Sequence, residues 1–262
     1  MFFGSIGRVN WCRCGRVVRC EGSVRSRQAK GPVMEPRDAA DCLARLTRLL
    51  EAEGEPRRAA AAQRDKGSRY HFLAIRVPVL RRIALSDFDL SRHAPDARLR
   101  IFDYIWTHSE EYEVLSVPLL YYRNKGLAIR PEDFEVIRGW VGRVDDWGHC
   151  DDLSAIYSYC NHNWPERVMP FLRGLNGEDD IWSIRTSIVA LVHYSGKNAI
   201  YLRPDQVFPF LDPHLGNRDK FIANAVGWVL REMHKVYPRE IENYIRENAT
   251  NISSVARRKA RL

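Results

Sequence analysis

Trp147 and Asp151 stand four residues apart in the run Trp147-Gly148-His149-Cys150-Asp151. On a helix that spacing stacks an aromatic ring and a carboxylate on one face. Two further tryptophans are each tied to an arginine, in Trp182-Ser183-Ile184-Arg185 and in Gly227-Trp228-Val229-Leu230-Arg231-Glu232. Trp, Asp and Arg gathered in one place can hold an electron-rich base or a sugar, contact a phosphate and stabilise a developing cation. Such a set points toward nucleic-acid chemistry. Each residue also has an ordinary reading. Asp151 can be a surface acid in a cluster with Asp145, Asp146 and Asp152; Asp152 points about 100° away on a helix. Trp147 and Trp228 can be core, and Arg185 can pair with Asp179 or Asp180.

The elements that must position these residues read as helices. Leu43, Leu46, Leu49 and Leu50 mark one helix face, and Glu53-Gly54-Glu55-Pro56 is a break. Ile101, Tyr104, Ile105 and His108 fit a second helix; Val114, Val117, Leu120 and Tyr121 fit a third. Pro131 opens a helix with Phe134, Ile137 and Val141 inward, and Pro165 sits at a first helical position before Val168, Phe171 and Leu172. Ile181 to Val192, Phe221 to Met233 and the segment from Pro238 through Ile241, Tyr244 and Ile245 repeat the pattern. Phe72-Leu73-Ala74-Ile75 is a possible short strand that runs into Val77-Pro78 and a new helix. The expected class is all-α, an α-solenoid of antiparallel helix pairs of the HEAT type. The pairs recur roughly every 35–45 residues, and a concave face is lined by one helix of each pair. Segments 147–151, 182–185 and 228–232 then fall on successive repeats and can converge on that face.

Composition narrows the partners. The formal net charge of +8 favours an anionic partner. However, residues 1–34 hold Arg8, Arg13, Arg16, Arg19, Arg25, Arg27 and Lys30 against the single acid Glu21, which puts +6 there and leaves +2 for the rest. A nucleic-acid face in the body must therefore come from charge placement. Residues 1–34 are expected to be a disordered basic extension, with targeting by them left open, and residues 35–262 one helical repeat domain. No stretch approaches roughly eighteen consecutive apolar residues, so no membrane span is expected. Cys12, Cys14 and Cys20 lack a fourth ligand at zinc spacing and are expected to be free thiols. Cys42, Cys150 and Cys160 are expected to be reduced core or boundary residues, as in a cytoplasmic protein. His71, His149, His193 and His234 show no metal-ligand spacing, and neither a metal nor a cofactor is assigned.

Four segments carry a family resemblance. Phe72-Leu73-Ala74-Ile75-Arg76-Val77-Pro78-Val79-Leu80-Arg81 resembles the F-x-G-(I/V)-x-x-P-x-x-R entry of the AlkD-type DNA glycosylases. Trp147 to Asp151 is similar to that family's W-D-x-x-D, and Trp182 to Arg185 to its W-x-x-R. Lys220-Phe221-Ile222 through Glu232 is similar to F-I-x-K-A-(I/V)-G-W-x-L-R-E. The match runs in order over about residues 40–262, and four motifs in register are far more specific than any one.

The resemblance implies a HEAT-like solenoid gripping double-stranded DNA. It implies excision, by a cofactor-free monomer, of purines that alkylation at N3 or N7 has made cationic. Carried over residue by residue, Asp151 is the catalytic carboxylate, and Trp147 and Trp228 are aromatic walls around the damaged nucleotide's deoxyribose. Arg185 clamps the phosphate beside the lesion; Arg76, Arg81 and Lys220 are further phosphate contacts. Arg257, Arg258, Lys259 and Arg261 form a basic cluster that is either a solvated helix face or a backbone contact. The chain departs from the pattern at four places. Gly148 stands where the family commonly has an acid, Ala74 where it has glycine, and Asn224 where it often has lysine. Asp65 stands where a tyrosine is frequent, with Tyr70 nearer to Ile75. Two other readings keep the fold but lose the chemistry: a noncatalytic protein that binds distorted or branched DNA, and a protein–protein scaffold.

Overall fold

Two start signals alternate along the chain and decide where its helices begin. Among the described residues seven helices open on proline: α1 (Pro36–Glu51), α2 (Pro56–Lys66), α4 (Pro95–His108), α6 (Pro131–Ile137), α8 (Pro165–Asn176), α10 (Pro204–Leu211) and α12 (Pro238–Glu247). Proline is suited to the first turn because the amide it lacks has no partner within the helix there. Three helices open instead behind an aspartate whose side chain caps them: α7 (Trp147–Asn163) behind Asp146, α9 (Ile181–Val189) behind Asp180, and α11 (Lys220–His234) behind Asp219. Each such cap contributes about 1 kcal/mol. α5 (Tyr112–Asn124) and the short α3 (Val77–Arg82) and α13 (Ser254–Ala260) are the remaining α-helices among the described residues. These elements belong to a computed structural model that describes residues 36–124, 129–192 and 202–261. The expected disordered extension, the thiols of Cys12, Cys14 and Cys20, and His193 lie outside the described residues.

The fold is all-helical. α5, α7, α9 and α11 begin at residues 112, 147, 181 and 220, a repeat of about 35–40 residues. Each of the four packs on the next, while α4 packs on α5, α8 on both α7 and α9, and α12 on α11. The row α5–α7–α9–α11 holds Trp147, Asp151, Arg185 and Trp228. Its inward faces are apolar: Val114, Val117, Leu153, Ile156, Ile188, Val226 and Leu230 are all buried. Each such side chain contributes about 1.5–3 kcal/mol on burial. Cys150 and Cys160 are buried free thiols, and Cys42 is half-buried.

The possible strand at Phe72–Ile75 is not one. Residues 72–75 form no bridge, and the isolated bridge beside them joins His71 to Glu111. The reason is local. Ala74 adopts φ 58°, a left-handed conformation that breaks an extended run. Buried Glu113 on α5 then takes the amides of Leu73 (2.9 Å) and Ile75 (3.2 Å), which a sheet partner would otherwise take. Three helices went unread in the sequence. α2 buries no residue and α10 is short. α13 shows only its basic residues to a pattern search, yet Ala256 and Ala260 on its other face are buried. It lies on α11 at Gly227, where an added Cβ would stand 2.2 Å from the Ala256 carbonyl oxygen and 2.8 Å from Lys259 Cβ.

Two substitutions test this account by urea unfolding. Ala74→Gly relieves the left-handed strain and is expected to raise stability by roughly 0.5–1 kcal/mol, after glycine's own entropy cost. Gly227→Ala forces α13 away from α11 and is expected to cost about 1–3 kcal/mol. A neutral result for either contradicts the corresponding contact.

Candidate active site

The motif around Trp147 is built from below. Asp146 is fully buried and accepts from the amides of Gly148 (2.6 Å) and His149 (3.4 Å) and from the Tyr112 hydroxyl (3.1 Å). Its neighbour Asp145 accepts from Ser68 Oγ (2.9 Å) and the Arg69 amide (2.7 Å). The two acids therefore hold the start of α7 to α5 and to the loop after α2. His149 is buried, stacked on Tyr112 at 4.1 Å, with Nε2 2.9 Å from Ser116 Oγ. Burial pushes its pKa down and outweighs the pull of Asp146, so it is a neutral packing residue. Asp152 pairs with Arg123. Of the four acids in the 145–152 segment, only Asp151 faces the arginine of the next repeat.

There the helix row closes on itself. Arg185 Nη2 donates to Asp151 Oδ1 at 2.8 Å, and Arg185 Nη1 donates to the Phe221 carbonyl at 2.7 Å. One guanidinium thus joins α7, α9 and the first turn of α11. Its partner is neither Asp179 nor Asp180. Burial pushes the Asp151 carboxyl above its ordinary value, and the Arg185 charge and hydrogen bond pull it back. The arginine is largely buried, with 11% of its side chain exposed against 32% for Asp151, so the carboxylate keeps an open side.

That side faces a cavity of about 460 Å³ lined by Trp147, Asp151, Arg185 and Trp228, with Asn224 between and Lys259 reaching in from α13. The four motif residues, spread over 82 positions of chain from 147 to 228, are therefore one site. Trp147 stands 41% exposed at its edge, which excludes the core reading for that ring. Trp182 does take the core role: it is buried and tilted against Phe221 at 4.8 Å. A second cavity of about 720 Å³ adjoins through Trp147 and Asp151, and Arg76 and Arg81 border it. Arg76 is exposed and paired with Glu55 at 2.9 Å. Lys220 borders neither cavity; its ammonium lies over the Phe221 ring at 4.7 Å.

The departures from the family pattern resolve here. Tyr70 does not substitute for the missing tyrosine, because it is fully buried and its hydroxyl donates to the Arg143 carbonyl at 2.6 Å. Asp65 and Lys66 line the larger cavity instead. Gly148 leaves room for its neighbours: an added Cβ would stand 2.5 Å from the Tyr112 hydroxyl and 2.6 Å from Lys66 Nζ, so these side-chain ends would have to shift. Lys66 and Lys259 are the site residues that sequence reasoning did not single out. The first is an ordinary helix-terminal lysine in the sequence, and the second was one of a basic cluster.

Residues 46–261 match the family described as DNA alkylation repair enzyme. The chain belongs to that family. Among solved structures it is similar to a predicted DNA alkylation repair enzyme from Enterococcus faecalis (TM-score 0.68, 17% identity, 79% of this chain and 94% of that one). It is also similar to smu.31 from Streptococcus mutans UA159 (0.54, 12%, 84% and 98%) and to AlkD2 from Streptococcus mutans (0.50, 14%, 77% and 93%). At these identities the likeness establishes the shared all-helical repeat fold. No curated protein sequence matches the chain. No helix among the described residues is long and apolar enough to cross a membrane.

The opposed influences on Asp151 give a direct test. Arg185→Met removes the pull that lowers its pKa and leaves the burial that raises it. The Asp151 carboxyl is then expected to titrate at higher pH than in the wild type, followed by carbon NMR of the side-chain carboxyls. An unmoved titration would mean that the pair is not held in solution.

Proposed function

We propose that this chain is a DNA glycosylase that excises N3- or N7-alkylated, positively charged purines from duplex DNA and leaves an abasic site. The observation that carries the reading is the position of Asp151, in one cavity with two tryptophans and paired from behind by Arg185. Its chemistry suits this reaction. An alkylpurinium leaves as a neutral base, so the leaving group needs no protonation, and the difficulty lies in the oxocarbenium-like sugar left behind. A carboxylate beside that sugar stabilises the charge and orients or deprotonates the attacking water. Trp147 and Trp228 add cation–π stabilisation of about 0.5–2 kcal/mol each. Arg185 favours the ionised carboxylate by its charge and hydrogen bond, and it stands where the family resemblance puts a contact to the phosphate beside the lesion.

Duplex DNA is the partner in this reading. Arg76, Arg81, Lys220 and Lys259 contact phosphates, and their binding falls steeply with salt. The small net charge outside residues 1–34 means that these contacts work by placement, Arg76, Arg81 and Lys259 bordering the cavities and Lys220 lying outside both.

The test is release of free 7-methylguanine from methylated duplex DNA by the wild type and by Asp151→Asn at equal DNA occupancy. Rapid wild-type release is expected, falling at least about 10²-fold in the variant. Tight binding with no release by either protein would sink the glycosylase reading in favour of a noncatalytic DNA-binding protein.

A further inference from the structure

Lys66 is the last residue of α2, and Gly67 in a left-handed conformation (φ 66°) ends the helix behind it. Its ammonium lies 3.5 Å from the centroid of the Trp147 ring, 5.6 Å from that of Tyr112 and 3.7 Å from Asp146 Oδ1. Only 19% of the side chain is exposed, although α2 itself buries no residue. The lysine is therefore held by what its ammonium touches rather than by packing of its helix. Gly148 is part of the same arrangement, since an added Cβ there would stand 2.6 Å from the ammonium and push it aside. Ring, carboxylate and missing side chain together make a seat for a cation, and Lys66 fills it.

We propose that Lys66 is a specificity-determining residue whose charge on Trp147 sets the site's preference between cationic and uncharged nucleotides. The proposal rests on the glycosylase reading, in which Trp147 is a wall beside a sugar that becomes positive. A resident ammonium on that ring opposes a second positive charge nearby. At about 6–8 Å and an effective dielectric of about 20–40, such repulsion is worth roughly tenfold in an equilibrium constant. Asp146, paired with Lys66, reduces this in part. For an uncharged lesion the sign reverses on the leaving side, because that base departs with negative charge, which an ammonium stabilises. Lys66 therefore narrows the advantage that cationic lesions hold at this site, and its removal widens it.

The test compares duplexes with one nucleotide replaced either by a pyrrolidine abasic analogue, which is protonated, or by its neutral tetrahydrofuran counterpart. The ratio of the two dissociation constants is measured for the wild type, Lys66→Met and Lys66→Arg. Both duplexes share one backbone, so lost phosphate contacts or partial unfolding cancel in the ratio. Lys66→Met is expected to shift the ratio roughly threefold to tenfold toward the cationic analogue, and Lys66→Arg to leave it near the wild-type value. A ratio that Met leaves unchanged, or shifts the other way, overturns the proposal. A shift in Arg as large as in Met also does so, because side-chain shape would then be responsible. Wild-type release of 7-methylguanine, measured alongside, separates the two claims. Release with an unmoved ratio overturns the role of Lys66 alone, whereas absence of release overturns the glycosylase reading and the proposal with it.

Discussion

The site depends on one guanidinium. Arg185 reaches from α9 to the carboxylate of Asp151 on α7 and to the Phe221 carbonyl at the start of α11. Three consecutive repeats are thereby set relative to one another where Trp147, Asp151 and Trp228 must meet. Burial of the carboxyl carries a cost that the pairing offsets only in part. A carboxyl whose folded-state pKa lies above its unfolded one is destabilising when ionised, and that cost is fully present above the folded-state value. Burial raises the Asp151 pKa and the Arg185 charge and hydrogen bond oppose that rise.

The alternation of helix starts places that guanidinium. Prolines open the helices that pack behind the row, and capping aspartates open α7, α9 and α11. A proline start needs no partner. An aspartate cap ties the first turn to a side chain, and at Asp146 the same carboxylate also takes the Tyr112 hydroxyl and meets Lys66. Thus the helix that carries Trp147 and Asp151 is registered against α5 and α2 by its own cap. Asp145 and Asp146, which look like company for Asp151 in the sequence, are the foundation on which it stands.

Two glycines mark where backbone or side chains crowd an added Cβ. Gly227 lets α13 lie on α11 and so brings Lys259 to the edge of the site. Gly148 leaves room for Lys66 against Trp147. Ala74 is constrained differently, by its backbone conformation. It holds a left-handed conformation that glycine adopts freely, and the amides that Glu113 accepts on both sides keep it there. The resulting loop orients Arg76 and the start of α3 along the larger cavity.

Much was legible in order along the chain. The apolar periodicity of the longer helices, their proline starts, and four motifs in register specify an all-helical repeat and nominate Trp147, Asp151, Arg185 and Trp228, because helix spacing is a local property of sequence. What the alphabet could not express was distance between repeats. Asp151 with Arg185, rather than with its neighbours, depends on how α7 packs on α9. Trp182 inward and Trp147 outward depends on which face each helix buries. Lys66 and Lys259 entered the site only because α2 ends beside Trp147 and α13 folds back onto α11. Residue types and spacing determined which chemistry was available to this protein; packing between helices far apart in the chain decided which charges share a cavity, since burial and Coulomb interaction depend on separation in space and not along the sequence.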